Sequence, residues 1–522
     1  MRVALSSLDL FVFFAYLTAV GVLAAWASRA RNATRREYFL GGDKLPWWMV
    51  GGSIVAANIS SHHFIGVMGV AYSRGFVAVT GEWGAILIGF NALLWIFLPF
   101  YLRNGFYTMP EFLQRRYGGT ARSLFAFLIL LIYVFVEIAA VLYMGALALN
   151  GLLGISVRWC VPLIALATGI YTITGGLKAV VWTEMLQLVV LIGGGIALAV
   201  ATLHAGGGWS AFMATSKDWD IMLPASDPDF PWTMLLGGAL CISVFYCAAN
   251  QFIVQRVLAA KDEWHARMGV VFTDYLKFLL PLIIIVPGMI GPRLFPGLKS
   301  PDMIFPTLVA NLLPSGLVGL VLAGLVAAVM SHVSGALNSS TTILTVDFYQ
   351  VLRPKATEVE AVRFGRRAGA VLILLGVIAA EMLTSHSDKP VFLYLLDAYG
   401  IVTPGMATMF LVGIFWRRAT HAGAIAAGIL TIVLSVFFKV FYPGMPFYNR
   451  TGIVFWSCIL LCVIVSLMTK APSPESIKGL IWTRDSMRLP LAERAKNGGL
   501  RNPALWWAII TIIVLYFYVR YA

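Results

Sequence analysis

Apolar runs separated by short polar breaks follow one another along the whole chain. They fall approximately at 8–28, 46–72, 77–101, 119–152, 155–175, 179–204, 231–255, 267–292, 313–347, 362–385, 390–416, 419–441, 450–469 and 504–521. A helix needs about 20 apolar residues to cross a bilayer. The pattern therefore predicts an all-α polytopic membrane protein with about 14 transmembrane helices. The close pairs 155–175/179–204 and 390–416/419–441 are separated by "TGGLK" and "RRATHAG", which read as turns. Residues 8–27 end in Ala25-Trp26-Ala27, as a cleavable signal does. The run is too long for one, with only Arg2 before it and Arg29, Arg31, Arg35 and Arg36 after it. They read as an uncleaved helix with its amino end outside.

Composition agrees. Of 522 residues, 60% are hydrophobic and 12% charged, against about 25% charged in soluble domains. Cys160, Cys241, Cys247, Cys458 and Cys462 all lie in apolar runs without metal-type spacing and read as small buried hydrophobes. The net charge of +14 is a matter of topology. With the amino terminus outside, the inside loops at 29–45, 102–118, 176–178, 256–266, 348–361, 417–418 and 470–503 collect most of the basic residues. The outside loop 205–230 carries Asp218, Asp220, Asp227 and Asp229. No nucleic-acid partner is implied. Both termini are expected outside, in a plasma (inner) membrane. No obligate protein partner is evident. The polar insert 470–503 reads as a cytoplasmic linker. A phosphate loop of the GxxxxGK[ST] type is missing, as is a G-x-S-x-G nucleophile elbow, so neither ATP-driven transport nor an enzyme is expected.

Polar residues inside two spans break the pattern. The second run holds Asn58, Ser60, Ser61, His62 and His63; the seventh holds Ser243, Tyr246, Asn250 and Gln251. Every backbone group within lipid must be satisfied, so such clusters are costly. The two runs are five helices apart. An odd number gives two units of opposite orientation, the signature of an inverted-repeat transporter with discontinuous second and seventh helices. Packing of Ser and Asn against neighbouring helices is the competing reading. Lys277, within "TDYLKFLLPL", needs a partner, and Asp274 or Glu82 is expected to supply it; snorkelling to the interface is the alternative. His62, His63 and His332 are mid-span. Adjacent histidines on a regular helix diverge by about 100° and do not easily share one ion.

Four stretches carry a wider resemblance: "YFLGGDKLPWWMVGGSIVAANISSHHFIG" (Tyr38–Gly66), "YTITGGLKAVVWTEMLQ" (Tyr171–Gln187), "NQFIVQRVLAAK" (Asn250–Lys261) and "SGALNSSTTILTVDFY" (Ser334–Tyr349). In order over nearly the whole chain, they resemble the sodium/solute symporter family, in particular its sodium/glucose cotransporter branch and the bacterial sodium/galactose carriers within it. The resemblance implies a five-plus-five inverted-repeat core with four additional helices. The organisation is then 1–45 (extra helix and cytoplasmic loop), 46–204 (first repeat), 231–416 (second repeat), 419–469 (two additional helices), 470–503 (linker) and 504–522 (final helix). It implies import of a small polar solute, a sugar, by sodium-coupled symport and alternating access.

Carried over residue by residue, the resemblance makes the carbonyls of Ala56, Ile59 and Ala328 and the hydroxyl of Ser331 sodium ligands. Glu184 falls where the family has an Asp linked to ion coupling. His63, Glu82, Tyr246 and Lys277 fall on sugar-site positions. Ser243 replaces a sugar-binding Asn, Cys247 an aromatic and Leu396 a sugar-binding Gln, while Gly81 and Ala85 replace larger side chains. These losses point away from galactose towards another sugar, a larger polyol or a glycoside. His332 stands where the family has a second hydroxyl ligand. Either it turns away from the ion, or, protonated, it stands in for sodium and gives proton-coupled or sodium-independent transport. A non-sugar solute (carboxylate, amino acid or vitamin) and a transport-inactive membrane sensor are the remaining alternatives.

Overall fold

The computed structural model describes residues 5–28, 34–42, 44–215, 219–384, 391–494 and 497–522. Arg29, Arg31 and Asp218 lie outside these residues, as does the side chain of Leu396. The described chain is helical throughout, with two isolated β-bridges, Leu45 to Ala260 and Leu223 to Pro231.

Among the described residues, ten helices are long and apolar enough to cross a membrane, or eleven if the bent pair Gly238–Ala249 and Gln251–Leu258 forms one span. The sequence count of fourteen differs at identifiable places. The helical run Val157–Ala205 has 49 residues, about 73 Å at 1.5 Å per residue, far more than the ~30 Å hydrocarbon core. It is interrupted at Gly176, whose φ of 59° and ψ of −160° are not helical. A Cβ there would run into the Tyr38 carbonyl oxygen, so "TGGLK" turns the chain where the glycine permits it. Likewise His63–Asn104 is one apolar run of 42 residues, but Gly75 at φ 72°, ψ −142° divides it. Glu358–Thr384, where a span is predicted at 362–385, is a helix outside the ten.

Both discontinuities are present. The helix Trp47–Asn58 ends at Ile59 (φ −74°, ψ 121°), and helical structure resumes through the π-turn His63–Val67. The π-turn Phe245–Ala249 ends at Asn250 (φ −85°, ψ 119°), before Gln251–Leu258. There Asn250 caps the new helix by accepting from the Phe252 N–H at 3.0 Å, and the Tyr133 hydroxyl also accepts that N–H at 3.0 Å. Each break leaves helix-terminal carbonyls or amides without an intrahelical partner at mid-chain depth.

The helix Leu317–Ile343 forms the centre, with every residue from Val321 to Ile343 buried. Ser7–Ala27, His421–Phe441 and Pro503–Arg520 are apolar yet mostly uncovered, as lipid-facing helices are. The carboxylate of Asp9 on Ser7–Ala27 accepts the N–H groups of Gly316 at 2.7 Å and Gly319 at 2.8 Å, closing the amino end of the central helix. Gly335, on the same central helix, lies under Arg256. An added Cβ would sit 2.6 Å from Nη2 of Arg256 and 2.6 Å from the Phe252 ring. Gly335→Ala should therefore destabilise the protein by about 1–3 kcal/mol, the usual cost of overpacking, read as a lower melting temperature of the detergent-purified protein.

Candidate functional site

The first break sets the site. Asn58 is the last residue of Trp47–Asn58. Its Oδ1 accepts from Lys277 Nζ at 2.5 Å, and its Nδ2 donates to the Tyr246 hydroxyl at 2.9 Å. Lys277 also donates to Glu82 Oε2 at 2.5 Å. The other oxygen of Glu82 receives His63 Nε2 at 2.9 Å. His63 Nδ1 accepts from the Ser60 N–H at 3.2 Å, so Nε2 carries the hydrogen and donates to Glu82. One polar row thus ties both broken helices to the helices bearing Glu82 and Lys277.

Lys277 is buried, as a residue of the site is, and does not snorkel. Of its two expected partners the structure supplies Glu82; Asp274, one turn away, has both carboxylate oxygens buried without a hydrogen-bond partner among the described residues. One expectation changes. The rings of His62 and His63 do not diverge: their centroids are 3.9 Å apart at 39°, because the break at Ile59 and the π-turn depart from the regular helical rotation.

The row lines a cavity of about 180 Å³ together with Ser243, Tyr246 and Cys247. That volume equals about six waters at roughly 30 Å³ each. Gly81 and Ala85 are on the same wall, and a Cβ at Gly81 would meet nothing within 4 Å.

A second cluster adjoins it. The Ser331 hydroxyl donates to the Ala56 carbonyl at 2.7 Å, and His332 Nδ1 lies 2.9 Å from the Ala57 carbonyl. These carbonyls belong to the last turn of the first half-helix, the negative end of its dipole, where a cation is favoured. A carbonyl only accepts, so Nδ1 carries a hydrogen. His332 Nε2 then meets Glu137 Oε2 at 2.5 Å with one proton between them. Of the expected sodium ligands, the structure joins Ser331 to Ala56; Ile59 and Ala328 are buried nearby on the same two elements. His332 faces the break at the Ala57 carbonyl and lines the cavity with Glu137.

Glu184 lies outside the cavity lining. It forms an ion pair with Arg256 in which both side chains are fully buried. Ser53 joins them, donating to Glu184 and accepting from Arg256 Nε at 2.9 Å. Glu137 and Arg256 were not expected in functional or pairing roles. Glu137 had a signal, an acid in the middle of the apolar run 119–152. Arg256 is at the end of its run and looks from the sequence like an interfacial charge.

A broken helix offering free carbonyls to a cation, beside a buried polar cavity, is the arrangement of a secondary transporter. The family model of the sodium:solute symporter family matches residues 38–431. The chain belongs to the sodium:solute symporter family. This symporter is 33% identical to a sodium/glucose cotransporter of Vibrio parahaemolyticus over 516 residues, covering 92% of the chain and 93% of that relative. It is 32% identical to a sodium/myo-inositol cotransporter of Homo sapiens over 556 residues, covering 93% and 77%. In fold it is similar to a substrate-bound, outward-open Na+-coupled sialic acid symporter, with a TM-score of 0.81 at 24% identity over 90% of this chain and 99% of that one. A nucleobase-cation-symport-1 family transporter matches with a TM-score of 0.58 at 14% identity, covering 86% and 98%. The symporter is a multi-pass integral membrane protein and a transporter, not an enzyme.

Proposed function

We propose that the symporter imports a neutral polyhydroxylated solute, a sugar or polyol, coupled to sodium entry by alternating access. The observation that carries this is the state of Lys277. Its charge is met by Glu82 and Asn58, so among the described residues the cavity presents paired donors and acceptors and no free cation for a carboxylate. Neutral hydroxyls can bond to such a row without leaving a buried charge unmatched. His63, Glu82, Ser243, Tyr246 and Lys277 are the substrate-binding residues in this reading. The names of the glucose and myo-inositol relatives support a solute of this class.

Sodium, as the co-transported ion, binds at the carbonyls of Ala56, Ile59 and Ala328 with the Ser331 hydroxyl; oxygen donors of this kind suit a hard cation. The breaks at Ile59 and Asn250 support an inverted repeat of 46–204 and 231–416 within fourteen spans. Residues 1–45, 419–469 and 504–522 add the outer helices, and 470–503 forms a cytoplasmic linker. Both termini lie outside a plasma (inner) membrane, in keeping with the placement of the basic residues.

The contact of His332 with the Ala57 carbonyl favours a second reading, in which the positive end of a His332–Glu137 pair takes the place of the metal ion and protons drive uptake. Uptake of labelled D-glucose, D-galactose and myo-inositol into proteoliposomes, under separate inward sodium and proton gradients, decides between them. Sodium-driven accumulation is expected, and it should survive His332→Ala without a new pH dependence. Accumulation under a proton gradient alone, lost in His332→Ala, would sink the sodium reading. Failure of every neutral probe under both gradients would remove the solute class.

A further inference from the structure

The Tyr399 hydroxyl is buried and has no hydrogen-bond partner among the described residues. The residue is 4% exposed and lines the same cavity as Glu82 and Lys277. Its ring is held on the helix Val391–Phe415, with centroids 6.3 Å from Phe245 at 63° and 6.2 Å from Tyr246 at 64°. Those two rings belong to the π-turn that precedes the break at Asn250. Tyr246 differs in one respect: its hydroxyl is already engaged by Asn58 at 2.9 Å. A phenol ring needs no partner to pack, but a buried hydroxyl with none bears its full desolvation penalty. Beside a cavity, such a hydroxyl is open to what enters it, water or a solute that displaces the water.

We infer that Tyr399 is a specificity-determining residue of the symporter, its hydroxyl forming a hydrogen bond with a hydroxyl of the transported solute. This rests on reading the cavity as a site for a neutral polyhydroxylated solute. Ser243 on the seventh helix and Tyr399 then contact parts of the solute that the Glu82–Lys277 row does not bond. The pair selects by hydroxyl position, because a site built to bond a hydroxyl rejects the analogue that lacks it.

Tyr399→Phe keeps the ring and its packing and removes only the hydroxyl. The probes are D-glucose, D-galactose and myo-inositol, with the mono-deoxy analogues of whichever is best transported. For that best probe, KM is expected to rise about tenfold in Tyr399→Phe while the maximal rate holds. One mono-deoxy analogue should lose about tenfold in kcat/KM in the parent and nothing further in the variant. Without solute the variant should melt no lower than the parent, since the lost hydroxyl had no partner. Unchanged KM in the variant, or equal deoxy losses in both proteins, overturns the role of Tyr399 and leaves the solute class standing. A lower melting point without solute also overturns it, because the hydroxyl would then be bonded within the protein. No uptake of any probe by the parent overturns the solute class and the role of Tyr399 with it.

Discussion

Arg256→Met should destabilise the symporter by about 3–5 kcal/mol, the usual cost of removing one partner from a buried ion pair. Both Arg256 and Glu184 are fully buried. The loss would leave the Glu184 carboxylate in the protein interior with only the Ser53 hydroxyl for company. The pair also joins three elements: Trp47–Asn58 through Ser53, Val157–Ala205 through Glu184, and Gln251–Leu258 through Arg256. Two of these are halves of broken helices, so the variant should lose transport as well as thermal stability. Arg256→Met combined with Glu184→Leu should regain most of the lost stability, because apolar residues of similar volume often replace a buried pair at little cost. Thermal melting of the two single variants and the double variant measures the coupling. Single variants that melt with the parent would show that water reaches Glu184.

Glu82→Gln should lower kcat/KM for the transported solute by a factor on the order of 100, corresponding to about 2.7 kcal/mol. Glu82 accepts from Lys277 with one oxygen and from His63 with the other. An amide offers one acceptor in place of two and turns an NH2 donor towards one of these donors. The Lys277 charge then loses its counter-charge and keeps only neutral partners such as Asn58. Such a cavity should bind anions better than the parent does, so competition by a carboxylate-bearing sugar acid should appear in Glu82→Gln and not in the parent. Proteoliposome uptake with and without the sugar acid tests both parts. Unchanged kcat/KM would mean that the Glu82–Lys277 pair is structural and does not touch the solute.

Much of this organisation is visible in the sequence, for physical reasons. The breaks at Ile59 and Asn250 announce themselves because Asn, Ser and His are costly inside an apolar run. The turn at Gly176 is announced by a pair of glycines between two runs. Helix counts are harder, since helical hydrogen bonding runs on past Gly75 and Gly176 even though each glycine, with its positive φ, turns the chain. Pairings are harder still. Spacing along one helix favours Asp274 for Lys277, yet the actual partner comes from another helix. Only tertiary placement brings Glu82 across. The same holds for Glu137 with His332 and for Arg256 with Glu184, which are 195 and 72 residues apart. The proximity of the His62 and His63 rings depends on a π-turn, which hydropathy does not mark.

The cap that Asp9 places on the central helix has a consequence for biosynthesis. Gly316 is 307 residues downstream of Asp9. At roughly 5–20 residues per second, a nascent chain needs about 15–60 s to make that stretch. Throughout this interval one oxygen of the carboxylate has Ser6 as its partner within the chain, and the other is left to headgroup water at the membrane surface. The helix Ser7–Ala27 must therefore wait in lipid, undocked at this end, until the ninth predicted run is inserted. A ribosome stalled before residue 316 should leave Asp9 open to crosslinking from the headgroup region, and one stalled well beyond it should protect Asp9 while the outer face of the helix stays exposed to lipid.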